Sequence, residues 1–221
     1  MQLEAIWEQA WEESLAEQNR FTDFPQEKWR RGGRKTKDKP NGEDLDFWHE
    51  AGLEHLKGYV EWIERTGWCI ATVGDKPGIE LELEATFGGV TVKGIADAVY
   101  ETPDLLLVDY KTGSRTPSSW VQLCLYAEAM ERQYGVRPKY GAFFMTRKSE
   151  LSALEPLNKY DGLWFDRLFA QLNKARQYGP FLPNLGEACR TCDVVHACYA
   201  NGGTESHKYD PDDPQFGVAH E

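Results

Sequence analysis

Two glycines, Gly88 and Gly89, stand between two stretches of alternating apolar and polar residues, and they constrain the fold more than any other feature. Two-residue hairpins use primed turns whose central residues have positive φ, a conformation glycine adopts without strain. Pairing Phe87 with Val90 predicts strands over 78–87 and 90–100, with Glu84 opposite Lys93 and Glu80 opposite Asp97. A third apolar run, 105–112, follows Glu101-Thr102-Pro103-Asp104. A short loop centred on Pro103 sets Asp97 opposite Asp109 and Ile95 opposite Lys111. Glu80, Asp97 and Asp109 then form one row across three strands.

Opposed side chains of an antiparallel pair have Cβ atoms about 4.5–5.5 Å apart, where like charges destabilise the sheet. Three carboxylates in a row therefore need a cation. Leu81, Leu83, Phe87, Val90, Val92, Ala96, Leu106 and Val108 are expected to form the apolar opposite face. Lys111, two residues from Asp109, shares the face of the row. Oxygen ligands suit Mg2+ or Mn2+, which polarise a phosphoryl group and acidify bound water. A lysine beside them would neutralise charge growing on a phosphate. Glu80, Glu82 and Glu84 alone would read as a solvated face, but Asp109 ends the apolar run 105–108, where an unpaired charge is costly.

Helical spacing surrounds these strands. Leu3, Ile6, Trp7, Ala10, Trp11 and Leu15 predict an amphipathic helix over 3–17, and a second is expected over 43–65, ended by Gly67. Further helices are predicted over 119–134 and 160–178, with a buried strand over 139–146 between them. The expected organisation is an N-terminal helix and basic loop (1–42), a core (43–178), a cysteine-bearing region (179–203) and an acidic, flexible tail (204–221). No stretch approaches the roughly 20 apolar residues of a membrane span, and the first residues do not read as a signal peptide, so a cytoplasmic location without membrane partners is expected.

The net charge of −11 at first argues against a nucleic-acid partner, but its distribution is uneven. Between Lys28 and Lys39, seven basic residues face one acid, giving +6 and leaving −17 elsewhere. This segment, with Arg30, Arg31, Arg34, Lys35 and Lys37, reads either as a solvated loop or as a run of DNA phosphate contacts.

Gly94-Ile-Ala-Asp97, then Val108-Asp109-Tyr110-Lys111-Thr112-Gly113, then Gln122-Leu-Cys-Leu-Tyr126 resembles the signature of the RecB-like branch of the PD-(D/E)xK nuclease superfamily. That branch includes CRISPR-associated and phage-encoded exonucleases. The resemblance implies an α/β, restriction-endonuclease-like core: helix, three-stranded antiparallel meander, helix, strand. It implies Asp97 and Asp109 as metal ligands, Lys111 as the catalytic lysine, and Gln122 and Tyr126 as the helix motif beside the active site. Many relatives add a helix histidine as a ligand, for which His55 is the candidate and His49 an alternative. Two local readings compete. Ser119 with Gln122 also forms a capping-box pattern, in which Gln122 would bend back to the backbone. Trp120, beside the motif, either stacks on single-stranded DNA or belongs to the core.

Five cysteines, three of them at Cys189, Cys192 and Cys198, suggest metal ligation in a reducing compartment. The resemblance implies a 4Fe–4S cluster, but the far-upstream fourth cysteine has no counterpart, since none precedes Cys69. Zinc with His196 as fourth ligand, or no metal at all, are the alternatives. Cys124, flanked by leucines, is expected to be a buried free thiol.

These features lead to a divalent-metal-dependent DNA nuclease, an exonuclease of recombination, repair or phage DNA processing. The alternative is a catalytically silent DNA-end-binding or scaffolding subunit. No nucleotide-binding glycine loop occurs, so any helicase motor belongs to a partner.

Overall fold

A computed structural model of the chain describes residues 3–29, 35–37, 40, 42–178, 186, 188–189 and 192–205. Two compact units are present, Met1–Ala170 and Gln171–Glu221. In the first, helices α1 (Leu3–Phe21) and α2 (Leu45–Thr66) precede a two-stranded ribbon, β1 (Thr72–Val73) with β2 (Lys76–Pro77). Strands β3 (Ile79–Phe87), β4 (Val90–Tyr100) and β5 (Leu106–Lys111) form the meander. Helix α3 (Val121–Tyr134) crosses to β6 (Tyr140–Met145), which runs parallel to β5. The short β7 (Glu150–Leu151) and β8 (Glu155–Pro156) both pair with β6, and α4 (Gly162–Tyr178) follows. The chain therefore has the mixed α/β, restriction-endonuclease-like architecture expected from the sequence.

Local chemistry accounts for the boundaries. The Asp44 carboxylate accepts the Phe47 N–H (3.1 Å) and caps α2, and Gly67, at φ 65°, ends it. Gly88 and Gly89, at φ 54° and 80°, make the β3–β4 turn, and Phe87 pairs with Val90. Gly88 also lies against α4: an added Cβ would sit 2.1 Å from the Asp166 carbonyl oxygen. Its N–H donates to Asp166 Oδ1 (2.9 Å), and the Arg132 guanidinium of α3 grips both oxygens of the same carboxylate at 2.9 Å. The turn is thereby tied to two helices.

Where the ladders run their register is the expected one, with Glu84 opposite Lys93 and Ala98 opposite Val108, but they do not include the expected Glu80–Asp97, Asp97–Asp109 and Ile95–Lys111 pairs, and the expected single apolar face does not form. Both faces of the sheet are covered. Leu81, Leu83, Phe87 and Ala96 pack with Leu123, Cys124, Ala127 and Met130 of α3. Ala98, Leu106 and Val108 pack with Trp62 of α2. Residues two apart on a regular strand share a face, so Ala96 and Ala98 on opposite sides mark a switch at Asp97. Its neighbour across the hairpin, Glu80, has φ 45°, an αL conformation rare outside glycine. Ile79 and Leu81 likewise face opposite sides, Ile79 lining a cleft beside α2. The alternating pattern carries through this switch without a break in sequence, which is why it assigned all these apolar residues to one face.

In the second unit, short turns at Val195–Ala197 and Tyr199–Asn201 follow Cys192. The Gly203 N–H returns to the Cys198 carbonyl and the Glu205 N–H to that of His196.

Candidate active site

Asp109 and Lys111 project from the end of β5 onto the α3 side. Asp109 is 3% exposed, and the Lys111 ammonium lies 2.6 Å from its Oδ2. Lys111 is the partner of this buried oxygen, holding it by charge at a poor hydrogen-bonding angle. Burial pushes the Asp109 carboxyl above its ordinary range, the Lys111 ammonium pulls it back, and the charge of Asp97 pushes it up again. The Asp97 charge is thus near enough to be felt at Asp109, although the two do not pair in the ladder.

Asp97 is held at the face switch. The β4–β5 ladder ends at Ala98–Val108, and Asp97 Oδ2 takes the Tyr110 N–H at 2.7 Å. Tyr110, between the two β5 site residues, is itself anchored: its hydroxyl meets that of Tyr100 at 2.6 Å, and Tyr100 meets Tyr59 of α2 at 3.0 Å. Burial raises the pKa of Tyr100 and Tyr110, so both hydroxyls remain protonated, and with Tyr59 they link α2, β4 and β5. The only sequence sign of this trio is a tyrosine between Asp109 and Lys111 on the opposite face.

Gln122 and Tyr126 are bonded to each other, the Gln122 amide donating to the Tyr126 hydroxyl (3.0 Å). The capping-box alternative is therefore not what forms. Trp120 is the N-cap residue of α3 without a side-chain cap, and the Ser119 hydroxyl accepts the Val121 N–H. The Tyr126 ring lies over Gly94 so closely that an added Cβ would stand 2.9 Å from Cε1. Glycine in the Gly94–Asp97 motif thus brings the phenol against the strand that carries Asp97. Trp120 stacks on Phe143 with ring centroids 4.6 Å apart and packs against the α3-side core, its core reading.

The remaining candidates are dispersed. Glu80 is exposed at its αL position, outside the paired register. His55 Nδ1 is 3.3 Å from the Thr146 hydroxyl, which donates to the Lys111 carbonyl, so His55 adjoins the β5 end from the α2 side. Burial, then the Arg147 charge, lowers its pKa. His49 is engaged by Glu8 (2.9 Å) and stacks with Trp7 and Trp11. Lys35 and Lys37 are exposed, whereas Arg30, Arg31 and Arg34 lie outside the described residues. Among the described residues, no three His, Cys, Asp or Glu side chains come together as a metal-binding group. This applies to the expected Glu80–Asp97–Asp109 row and to Cys189, Cys192, Cys198 and His196. Cys124 is buried and free as expected.

The buried Oδ2 of Asp109 is the feature that fits a divalent cation, since an ionised oxygen inside a protein requires positive charge.

A sequence profile described as the PD-(D/E)XK nuclease superfamily matches residues 2–199. The chain belongs to that superfamily. Its members are nucleases that generally use Mg2+ or Mn2+. This PD-(D/E)XK chain is 34% identical over 170 residues to the Gene 69 protein of Mycobacterium phage D29, an alignment covering 72% of the chain and 62% of that protein. It is 31% identical over 187 residues to the Gene 69 protein of Mycobacterium phage L5, covering 72% and 64% respectively. The chain thus spans less than two thirds of either phage relative. The crystal structure of SSO0001 aligns at a TM-score of 0.42 and 15% identity, over 71% of this chain and 72% of that one. No described helix is long and apolar enough to cross a membrane.

Proposed function

We propose that this chain is a divalent-metal-dependent DNA nuclease of the RecB-like type, an exonuclease acting in the cytoplasm on DNA ends during recombination, repair or phage DNA processing. The observation that supports this most strongly is the buried Oδ2 of Asp109, met by Lys111 alone among side chains at 2.6 Å and a poor hydrogen-bonding angle, with the charge of Asp97 near it. A structural ion pair gains nothing from this arrangement, because desolvating a carboxylate costs more than a partly exposed lysine returns.

Asp97 and Asp109 would hold the cation, which when bound lowers the pKa of water and polarises the scissile phosphate. The Tyr110 N–H fixes Asp97, and the Tyr59–Tyr100–Tyr110 hydroxyls fix Tyr110. Lys111, on a flexible stem and about a third exposed, would move between Asp109 and a phosphate oxygen, neutralising the charge that grows as water attacks phosphorus. Gln122 and Tyr126 would orient the substrate from α3 as one bonded pair. Lys35, Lys37 and the neighbouring arginines would contact the DNA backbone, and a helicase or recombination protein is the proposed partner. The cysteine trio is given no catalytic part. Its proposed role is structural, with a 4Fe–4S cluster or zinc, and the absorbance spectrum of anaerobically purified protein distinguishes an iron–sulfur cluster from zinc or an empty trio.

The test is cleavage of end-labelled single- and double-stranded DNA with Mg2+ or Mn2+. The wild-type chain should degrade it, and Lys111→Ala should slow cleavage roughly a hundredfold or more while the fold persists. Activity that survives this change would remove Lys111 from the chemistry.

A further inference from the structure

Strand β5 carries its site residues to the limit of the sheet. Its ladder with β4 stops at Ala98–Val108, so Asp109, Tyr110 and Lys111 are laddered to β6 alone, and that ladder stops in turn at Lys111–Met145. Backbone at the end of a ladder opens at small cost unless other groups hold it. On the β4 side the Asp97 carboxylate takes the Tyr110 N–H. Past the last rung, side chains take over. The Thr146 hydroxyl donates to the Lys111 carbonyl at 3.3 Å, and the Arg147 Nε–H donates to the Thr112 carbonyl at 2.6 Å. Both side chains come from the helical turn Thr146–Lys148 that follows β6.

Arg147 is itself fixed. Its two terminal nitrogens each donate to one oxygen of Glu43 at 2.9 Å, and its guanidinium lies 4.9 Å from the centre of the Trp48 ring of α2. Glu43 stands immediately before Asp44, the cap of α2. A guanidinium presents all its N–H groups in one rigid plane, so gripping a carboxylate at one end sets the direction of the Nε–H at the other. The Glu43 pair alone would suffice to tie α2 to the turn after β6. The bond to Thr112 goes further, because it reaches the residue next to Lys111.

Lys111 is therefore held at two places. Its ammonium meets Asp109 on the α3 side, whereas its carbonyl and that of Thr112 are held by the turn that packs against Trp48 of α2. A lysine stem is flexible, so the position of its backbone decides where the ammonium can rest.

We propose that Arg147, with Thr146, is a positioning residue for Lys111: it holds the end of β5 so that the ammonium stays at Asp109. The inference rests on the nuclease reading above and adds a residue outside the three sequence motifs. Its test compares wild type with Arg147→Lys, which keeps the charge but not the plane, and with Thr146→Val, which keeps the shape and leaves the Arg147–Glu43 pair intact. Thr146→Val therefore decides the matter even where Arg147→Lys melts too low to assay, and circular dichroism reports the fold of each. In EDTA, Lys111 is acylated with an N-hydroxysuccinimide ester and followed by peptide mass spectrometry, with Lys139, exposed beside the opposite end of β6, as the internal reference. An ammonium held on a carboxylate reacts more slowly than a free one, so both variants should label Lys111 roughly threefold faster or more. Cleavage of end-labelled DNA in Mg2+ should show kcat lowered roughly ten- to a hundredfold with KM within about twofold. Bonds that serve stability alone would lower the melting temperature and move neither readout. Unchanged labelling of Lys111 in a folded variant would overturn the proposal, and so would a kcat that stays at the wild-type value. If wild type cleaves no DNA, the nuclease reading falls and the labelling alone decides the positioning role. Cleavage with unchanged labelling would remove that role and leave the nuclease reading standing.

Discussion

Asp109 is buried, ionisable and supplied with one imperfectly aligned partner, so it lowers stability where it stands. Asp109→Asn should remove the buried charge, raise stability by about 1 kcal/mol and move the melting midpoint up by about 2–4 °C, while abolishing cleavage. Calorimetry and the DNA assay on the same preparation check both halves. Lys111 tolerates the change because its ammonium is partly solvated. Gly94 is the second informative residue. Gly94→Ala should push the Tyr126 ring away from β4 and slow cleavage roughly ten- to a hundredfold with little change in melting temperature. Motif spacing in the sequence nominates Asp97, Asp109, Lys111, Gln122 and Tyr126, and the structure sets Lys111 on Asp109 and Gln122 on Tyr126. The position of Glu80 was not legible, because its αL backbone leaves no mark in residue type.

Among elements, the β3–β4 hairpin was the most legible, since two glycines and flanking alternation leave one register. What the pattern could not give is the support from elsewhere in the chain: Asp166 and Arg132 meet the turn from positions 78 and 46 residues away. Gly88→Ala should destabilise the protein by roughly 2–4 kcal/mol in chemical denaturation, since φ is positive and the added methyl would enter α4. Arg132, then the Gly88 N–H, hold the Asp166 carboxyl below its ordinary range. A depressed carboxyl stabilises the fold above the unfolded value, near pH 4, and this contribution is lost as pH falls through the lower folded value. Asp166→Asn should therefore reduce stability at neutral pH and flatten its decline in acid, a comparison made by melting temperature against pH. The face switch at Asp97 and the two-residue strands β7 and β8 escaped sequence reading for the same reason. Elements this short are fixed by pairing to β6, not by their own periodicity.

At the scale of the whole molecule, the charge of −11 conceals an uneven distribution: +6 over residues 28–39, between α1 and α2, and −17 over the rest of the chain. α1 has no fully buried residue, and its tryptophans meet α2 and the cleft instead of a closed core. Periodicity recognised the helix and its apolar stripe, but not that the stripe borders an open cleft. The central claim is that Asp97 and Asp109 form a cation site for phosphodiester hydrolysis. The most direct measurement is isothermal titration of Mn2+ into wild-type protein and Asp109→Asn, with cleavage of end-labelled DNA followed in parallel. The account predicts Mn2+ binding and cleavage in the wild type, and loss of both in a variant that melts no lower. Undiminished Mn2+ binding or cleavage in Asp109→Asn would contradict it.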